Sequence, residues 1–129
     1  MFNKLLTHMS DPEDIEIYIE GSETEQVVSF LSNEIGILSY DSEIDERHVL
    51  YICGDAKVLI NTGIQDGYMS IYLKGIKKWK SDIEFARCIV NSLGVKVRCD
   101  PGSEYSGVSP YSDLFVEITR QGEGLVEWG

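Results

Sequence analysis

Apolar and polar residues repeat along this chain with two periods, close to two and close to 3.6, and each switch between them marks an element boundary. Asp14 to Glu20 alternates, with Ile15, Ile17 and Ile19 on one side and Glu16, Tyr18 and Glu20 on the other, which predicts a half-buried strand. Gly21 turns the chain, and Ser22-Glu23-Thr24-Glu25 has the spacing of a helical capping box. Val27, Val28, Leu31 and Ile35 then continue a helical stripe as far as Gly36. A second strand is expected at Ile37–Tyr40, followed by an acidic loop from Asp41 to Glu46. His48–Cys53 and Lys57–Ile60, joined at Gly54-Asp55, read as a hairpin, and Tyr68–Leu73 follows the Asp66-Gly67 turn as another strand.

The most fully punctuated stretch is Trp79 to Gly102. Ser81 can cap a helix whose third residue is Glu84, and Ile83, Phe85, Ala86, Ile89, Val90 and Leu93 form its apolar face. Gly94 supplies a left-handed stop, Val95, Val97 and Cys99 alternate with Lys96 and Arg98, and Asp100-Pro101-Gly102 turns the chain. Ser103–Ser112 reads as a loop, Leu114–Ile118 as a strand, and Leu125–Trp128 as a last strand beyond a Gln121-Gly122 turn. The expected fold is α+β: a single domain over residues 1–129, with a mostly antiparallel sheet of about seven to eight strands and two helices packed on it. Ile17–Gly21 and Ile71–Gly75 echo one another, each ahead of an S-x-x-E helix and a strand, so two related halves are one option and chance likeness of short strands the other.

Charge changes this picture most. The chain carries a net charge of −11 over its 129 residues, and twelve carboxylates lie between Asp11 and Glu46 with no Lys or Arg among them. The other ten acids share the rest with all eleven basic residues, so the whole excess belongs to the N-terminal third. Such a balance opposes contact with a nucleic-acid backbone and suits a basic protein partner, or serves solubility alone. Cys53, Cys88 and Cys99 fit no disulfide framework or metal clip. The opening MFNKLLTHMS, with Leu5 and Leu6, has no signal-peptide pattern, and no run approaches a membrane span, so a reduced, cytoplasmic setting is expected.

The densest acidic run, Tyr40-Asp41-Ser42-Glu43-Ile44-Asp45-Glu46, joins carboxylates to an aromatic and an aliphatic side chain. Charges of this kind steer encounter and an apolar anchor slows dissociation. Tyr40, Asp41, Glu43, Asp45 and Glu46 are therefore the expected partner-binding residues, with Glu13 and Asp14 adding to the field; a solvated loop is the plainer reading. The Ca²⁺-loop pattern is missing, so neither metal nor cofactor is expected. The lysines around Trp79 fit a solvated helix approach, with the indole packed on the core. No protease, hydrolase, P-loop or dinucleotide motif occurs, and His48 and Cys53, five residues apart on one strand, point to opposite faces. An enzyme is not expected.

Over residues 79–129 the chain resembles the small acidic immunity proteins of bacterial contact-dependent growth inhibition and related polymorphic toxin systems. The likeness is carried by Trp79-x-x-Asp82, Ala86, Leu93-Gly94-Val95, Val97-Arg98-Cys99-Asp100-Pro101-Gly102, Pro110-x-Ser112-Asp113, Phe115-x-Glu117-Ile118 and Trp128-Gly129. It implies a cytosolic inhibitor that binds a cognate toxin domain, often a basic nuclease, and it supplies no residue-level site. The alternative is a small enzyme or ligand-binding domain with a pocket near residues 98–113, lined by Arg98, Tyr105 and Tyr111.

Overall fold

The computed structural model describes residues 14–105, 107–109 and 112–128. Its eight strands are β1 (Ile15–Glu20), β2 (Ser39–Asp45), β3 (His48–Cys53), β4 (Ala56–Asn61), β5 (Met69–Lys74), β6 (Lys96–Cys99), β7 (Leu114–Thr119) and β8 (Gly122–Glu127). Two helices, α1 (Thr24–Ile35) and α2 (Asp82–Leu93), follow β1 and β5. The strands form one sheet in the order β2-β3-β4-β5-β1-β6-β7-β8, and every neighbouring pair is antiparallel. The α+β expectation, with two helices on an antiparallel sheet, holds.

Alternation decides which face is covered. Ile15, Ile17 and Ile19 lie level with Leu73, Ile71 and Met69, and their row runs on through Val97 into Ile118 and through Val58 and Ile60. Both helices pack on this apolar face: Val27, Phe30 and Leu31 come from α1, and Ile83, Phe85, Ala86, Ile89 and Val90 from α2. Trp79 closes the space between them, 4.5 Å from the Phe85 ring and 6.4 Å from Phe30, as the core reading of that indole requires. Each buried aromatic of this size contributes a few kcal/mol through the water-exposed area it removes.

The opposite face carries a smaller aromatic cluster of Tyr18, Tyr68, Phe115 and Trp128. The Arg98 guanidinium sits 5.0 Å from the Tyr68 ring and 5.1 Å from the Trp128 ring, and it is ion-paired with Glu117 at 3.0 Å. Trp128 Nε1 donates to Asp66 Oδ2 at 2.7 Å, which satisfies its one donor.

Helix caps follow the expected chemistry with one shift. Ser81 Oγ accepts the Glu84 N–H at 3.1 Å, and Gly94 ends α2 with φ 67°. At α1 the cap is Glu23 rather than Ser22, and Gln26, not Glu25, reaches back to the cap N–H at 2.9 Å. The hairpin turn at Gly54-Asp55 is as expected. The echoing segments share the order strand–helix–strand, yet α1 carries the chain across three strands to the far edge whereas α2 steps over β1 alone. Leu5 and Leu6 lie outside the described residues, as do Glu13 and Tyr111.

Candidate partner-binding edge

One expectation about the acidic run is overturned. Asp41–Glu46 is not a loop: Ser39–Asp45 forms β2, a strand of seven residues that among the described residues pairs with β3 alone and so ends the sheet. The hairpin between them turns at Glu46-Arg47. Asp45 Oδ1 accepts the backbone N–H groups of Arg47 at 2.8 Å and His48 at 3.0 Å, and His48 Nδ1 lies 2.8 Å from the same oxygen. The His48 ring and these N–H groups hold the Asp45 carboxyl below the usual carboxylate range.

Cross-strand register sorts the side chains of β2. Tyr40 and Glu43 stand opposite Tyr51 and Val49, on the helix-covered side, and the Tyr40 and Tyr51 rings meet edge to face at 6.3 Å. Ser39, Ser42 and Asp45 stand opposite Ile52, Leu50 and His48, on the other side. Register shifts fall between Tyr40 and Ser42 and between Glu43 and Asp45, so Asp41 and Ile44 are the extra residues of two bulges. Such irregularities twist a strand and free its bulged side chains from a cross-strand neighbour.

Exposure makes this edge unlike the rest of the surface. Among the described residues four large apolar side chains are exposed, and three of them lie on β2 or just before it: Ile37 (82%), Tyr40 (62%) and Ile44 (61%). No described Lys or Arg forms an ion pair with Asp41, Glu43 or Glu46. Elsewhere in the acidic third, Glu34 is paired with Lys78 at 3.0 Å and Glu20 with Lys96 at 3.8 Å. Two acids of the N-terminal third are thus neutralised, whereas among the described residues Glu23 and Glu25 at the start of α1 stay without an ion pair, as do Asp41, Glu43 and Glu46.

Tyr40, Asp41, Glu43, Asp45 and Glu46 are thus brought together, with Asp45 occupied in shaping the turn. Asp14 is not among them. It precedes β1, level with Ser39 but four strand spacings away, roughly 19 Å. There it accepts a hydrogen bond from the Tyr72 hydroxyl.

The residues of the alternative pocket separate. Arg98 lies in the aromatic cluster on the face away from the helices. Tyr105 packs against the helix-side core and donates its hydroxyl to Glu123 Oε2 at 2.8 Å. These two side chains lie on opposite faces of the sheet, and Tyr111 is outside the described residues. An open groove of about 550 Å³ runs between the helices, past Glu25, Gln26, Ser29 and Asn33 of α1 and Ser92 of α2.

His48 and Cys53 diverge as expected: the Cys53 thiol faces α1 and donates to the Ile35 carbonyl at 3.5 Å. Burial pushes the Cys99 thiol well up, and Cys88 is raised chiefly by desolvation, so neither is poised as a thiolate. Sequence reasoning missed one titratable group. Asp82, the first residue of α2, accepts the Glu16 N–H at 3.1 Å, and burial pushes its carboxyl up to about 7, with the charges of Asp100 and Glu16 adding to the rise. Ile37 was also missed as an exposed anchor.

Comparison with protein-family models, curated proteins and solved structures finds no match. Among the described residues no helix is long and apolar enough to cross a membrane, and no cluster of three or more His, Cys, Asp or Glu has metal-holding geometry.

Proposed function

We propose that this protein is an immunity-type inhibitor that binds a cationic toxin domain in the cytoplasm through the edge formed by β2 and its turn. The observation that carries this reading is the coincidence, on one strand and its immediate flanks, of carboxylates without cationic partners and of exposed apolar anchors: Asp41, Glu43 and Glu46 beside Ile37, Tyr40 and Ile44. Unneutralised charge at the rim accelerates encounter with a basic surface, and a desolvated aromatic or aliphatic anchor slows its release. The resemblance of residues 79–129 to immunity proteins supports the same reading independently of charge. Inhibition then requires no chemistry from this chain, only occupation of a toxin surface that must be free for activity.

The test begins with the reading frame next to the gene. Its C-terminal domain, expressed alone, is expected to arrest growth, and co-expression of the present chain is expected to restore it. The variant Asp41→Lys/Glu43→Lys/Glu46→Lys should lose that protection and associate more slowly, with a weaker salt dependence. Full protection by this variant, with unchanged association kinetics, would show that the acidic edge is not the binding surface.

A further inference from the structure

The outer side of β2 pairs with no strand among the described residues, so it presents backbone N–H and C=O groups to solvent. Exposed edges invite a second strand, and proteins commonly blunt them with charge and bulges. Both devices are present here, and they select among possible occupants. A second copy pairing antiparallel through β2 would set Asp41, Glu43 and Asp45 against the same carboxylates, and like charges facing across a ladder repel. A cationic strand converts that repulsion into attraction. The bulges at Asp41 and Ile44 bar a long flat extension, so the added segment must be short and twisted.

Resting on the acidic-edge reading above, we propose that β2 recognises its partner by strand addition. An extended segment of the partner, carrying Lys or Arg together with β-branched or aromatic residues, pairs its backbone with the outer edge of β2. Its cations meet Asp41, Glu43 and Glu46, and its apolar side chains pack on Tyr40 and Ile44. Main-chain pairing then supplies affinity and the side chains supply specificity, as in other sheet-edge recognition. The other edge, β8, offers a single exposed apolar side chain, Leu125 (43%), between Gly124 and Val126, and its Glu123 is already bound to Arg87 at 2.9 Å.

The test uses the full chain, ¹⁵N-labelled, at low salt, with a blocked peptide of alternating Lys and Val as the probe. A second peptide of the same charge is N-methylated at its four central residues, so that neither of its edges can donate. The parent peptide should shift the amide resonances of residues 39–45, slow their hydrogen exchange and leave residues 122–127 unchanged. N-methylation should weaken binding at least tenfold. Equal binding of the two peptides would overturn strand addition while leaving the acidic-edge reading intact. Absence of binding at millimolar peptide, or shifts confined to β8 or to the groove between the helices, would overturn it too. Sedimentation showing dimers formed through β2 without peptide would replace the partner with a second copy. Failure of toxin neutralisation, by contrast, bears on the proposed function alone, because it is read with a folded partner and on growth.

Discussion

The two edges of this sheet are built from similar material and finished differently. Both β2 and β8 are largely exposed and carry carboxylates. On β8 one of the two carboxylates is engaged internally: Glu123 binds Arg87 through both oxygens, at 3.0 and 2.9 Å, and accepts the Tyr105 hydroxyl, while Arg87 also pairs with Glu104 at 3.0 Å. Glu127 is exposed and forms no ion pair among the described residues. Arg87 accordingly holds the Glu123 carboxyl below its ordinary range. Trp128 then pins the end of β8 into the aromatic cluster, and its backbone N–H donates to the Asp113 carbonyl at 2.9 Å. On β2 nothing comparable happens beyond Asp45. The central charge of β8 is thus satisfied from within, whereas Asp41 and Glu43 on β2 are left open, and it is on β2 that the partner surface is proposed.

This contrast can be attacked at several points. Trp128→Ala should have the largest effect, a loss of about 3–5 kcal/mol in urea denaturation, because it empties a buried aromatic site. The β2 amides should keep their native shifts, which separates anchoring of β8 from the proposed site. Asp82→Asn addresses a carboxylate remote from either edge and serves as a control on stability. Its raised folded pKa means that the native state holds a proton the unfolded chain has lost. That contribution is fully present below about pH 4 and disappears as pH rises through about 7. The substitution should flatten the pH dependence of stability across this window and raise stability at pH 8, by on the order of 2–4 kcal/mol. A melting series from pH 4 to 8 checks it, and an unchanged slope would show that Asp82 titrates normally.

Asp41→Lys/Glu43→Lys/Glu46→Lys should change stability little, since exposed substitutions usually stay within about 0.5 kcal/mol each. Its association rate with a cationic partner should fall by about ten- to a hundredfold at low salt, whereas Glu127→Lys on β8 should leave the rate nearly unchanged. Smallest of all is Arg87→Gln. The ion pairs it removes are exposed, with 43% of the Arg87 side chain accessible, so the cost is at most about 1 kcal/mol. Its value is that it frees Glu104 and Glu123 and makes β8 an open acidic margin. A modest second binding mode for the Lys–Val peptide at residues 122–127 should then appear in the amide spectrum.

Most of the frame was legible because burial writes a period into the sequence. β1, β5, β6 and both helices each turn an apolar row toward the helix-side core, and their Ile, Val, Leu and Phe positions show it, although Tyr18 of β1 and Ser70 of β5 are buried on the other face too. The part of β2 from Asp41 on was misread as a loop for the converse reason. Six of the strand's seven residues are exposed, so no apolar alternation marks it, and two bulges break whatever period remained. The isolated Tyr40 and Ile44 amid carboxylates were the visible trace. Sequence proximity also cannot reveal that Glu20 and Glu34 meet Lys96 and Lys78, or that Asp14 belongs to the middle of the sheet. Asp82 was read only as part of a helix start, because its burial depends on β1 lying against it.

The place of β1 has a kinetic consequence. It is flanked by β5 and β6, both encoded later, so its first partner becomes available only once the chain has emerged through Lys74 and its second only through Cys99. At ordinary translation speeds the second interval is on the order of ten seconds. Until then Ile15, Ile17 and Ile19 belong to a strand with at least one open side, and the charges of Glu16 and Glu20 disfavour its premature association. The first described strand to be synthesised is among the last to be completed.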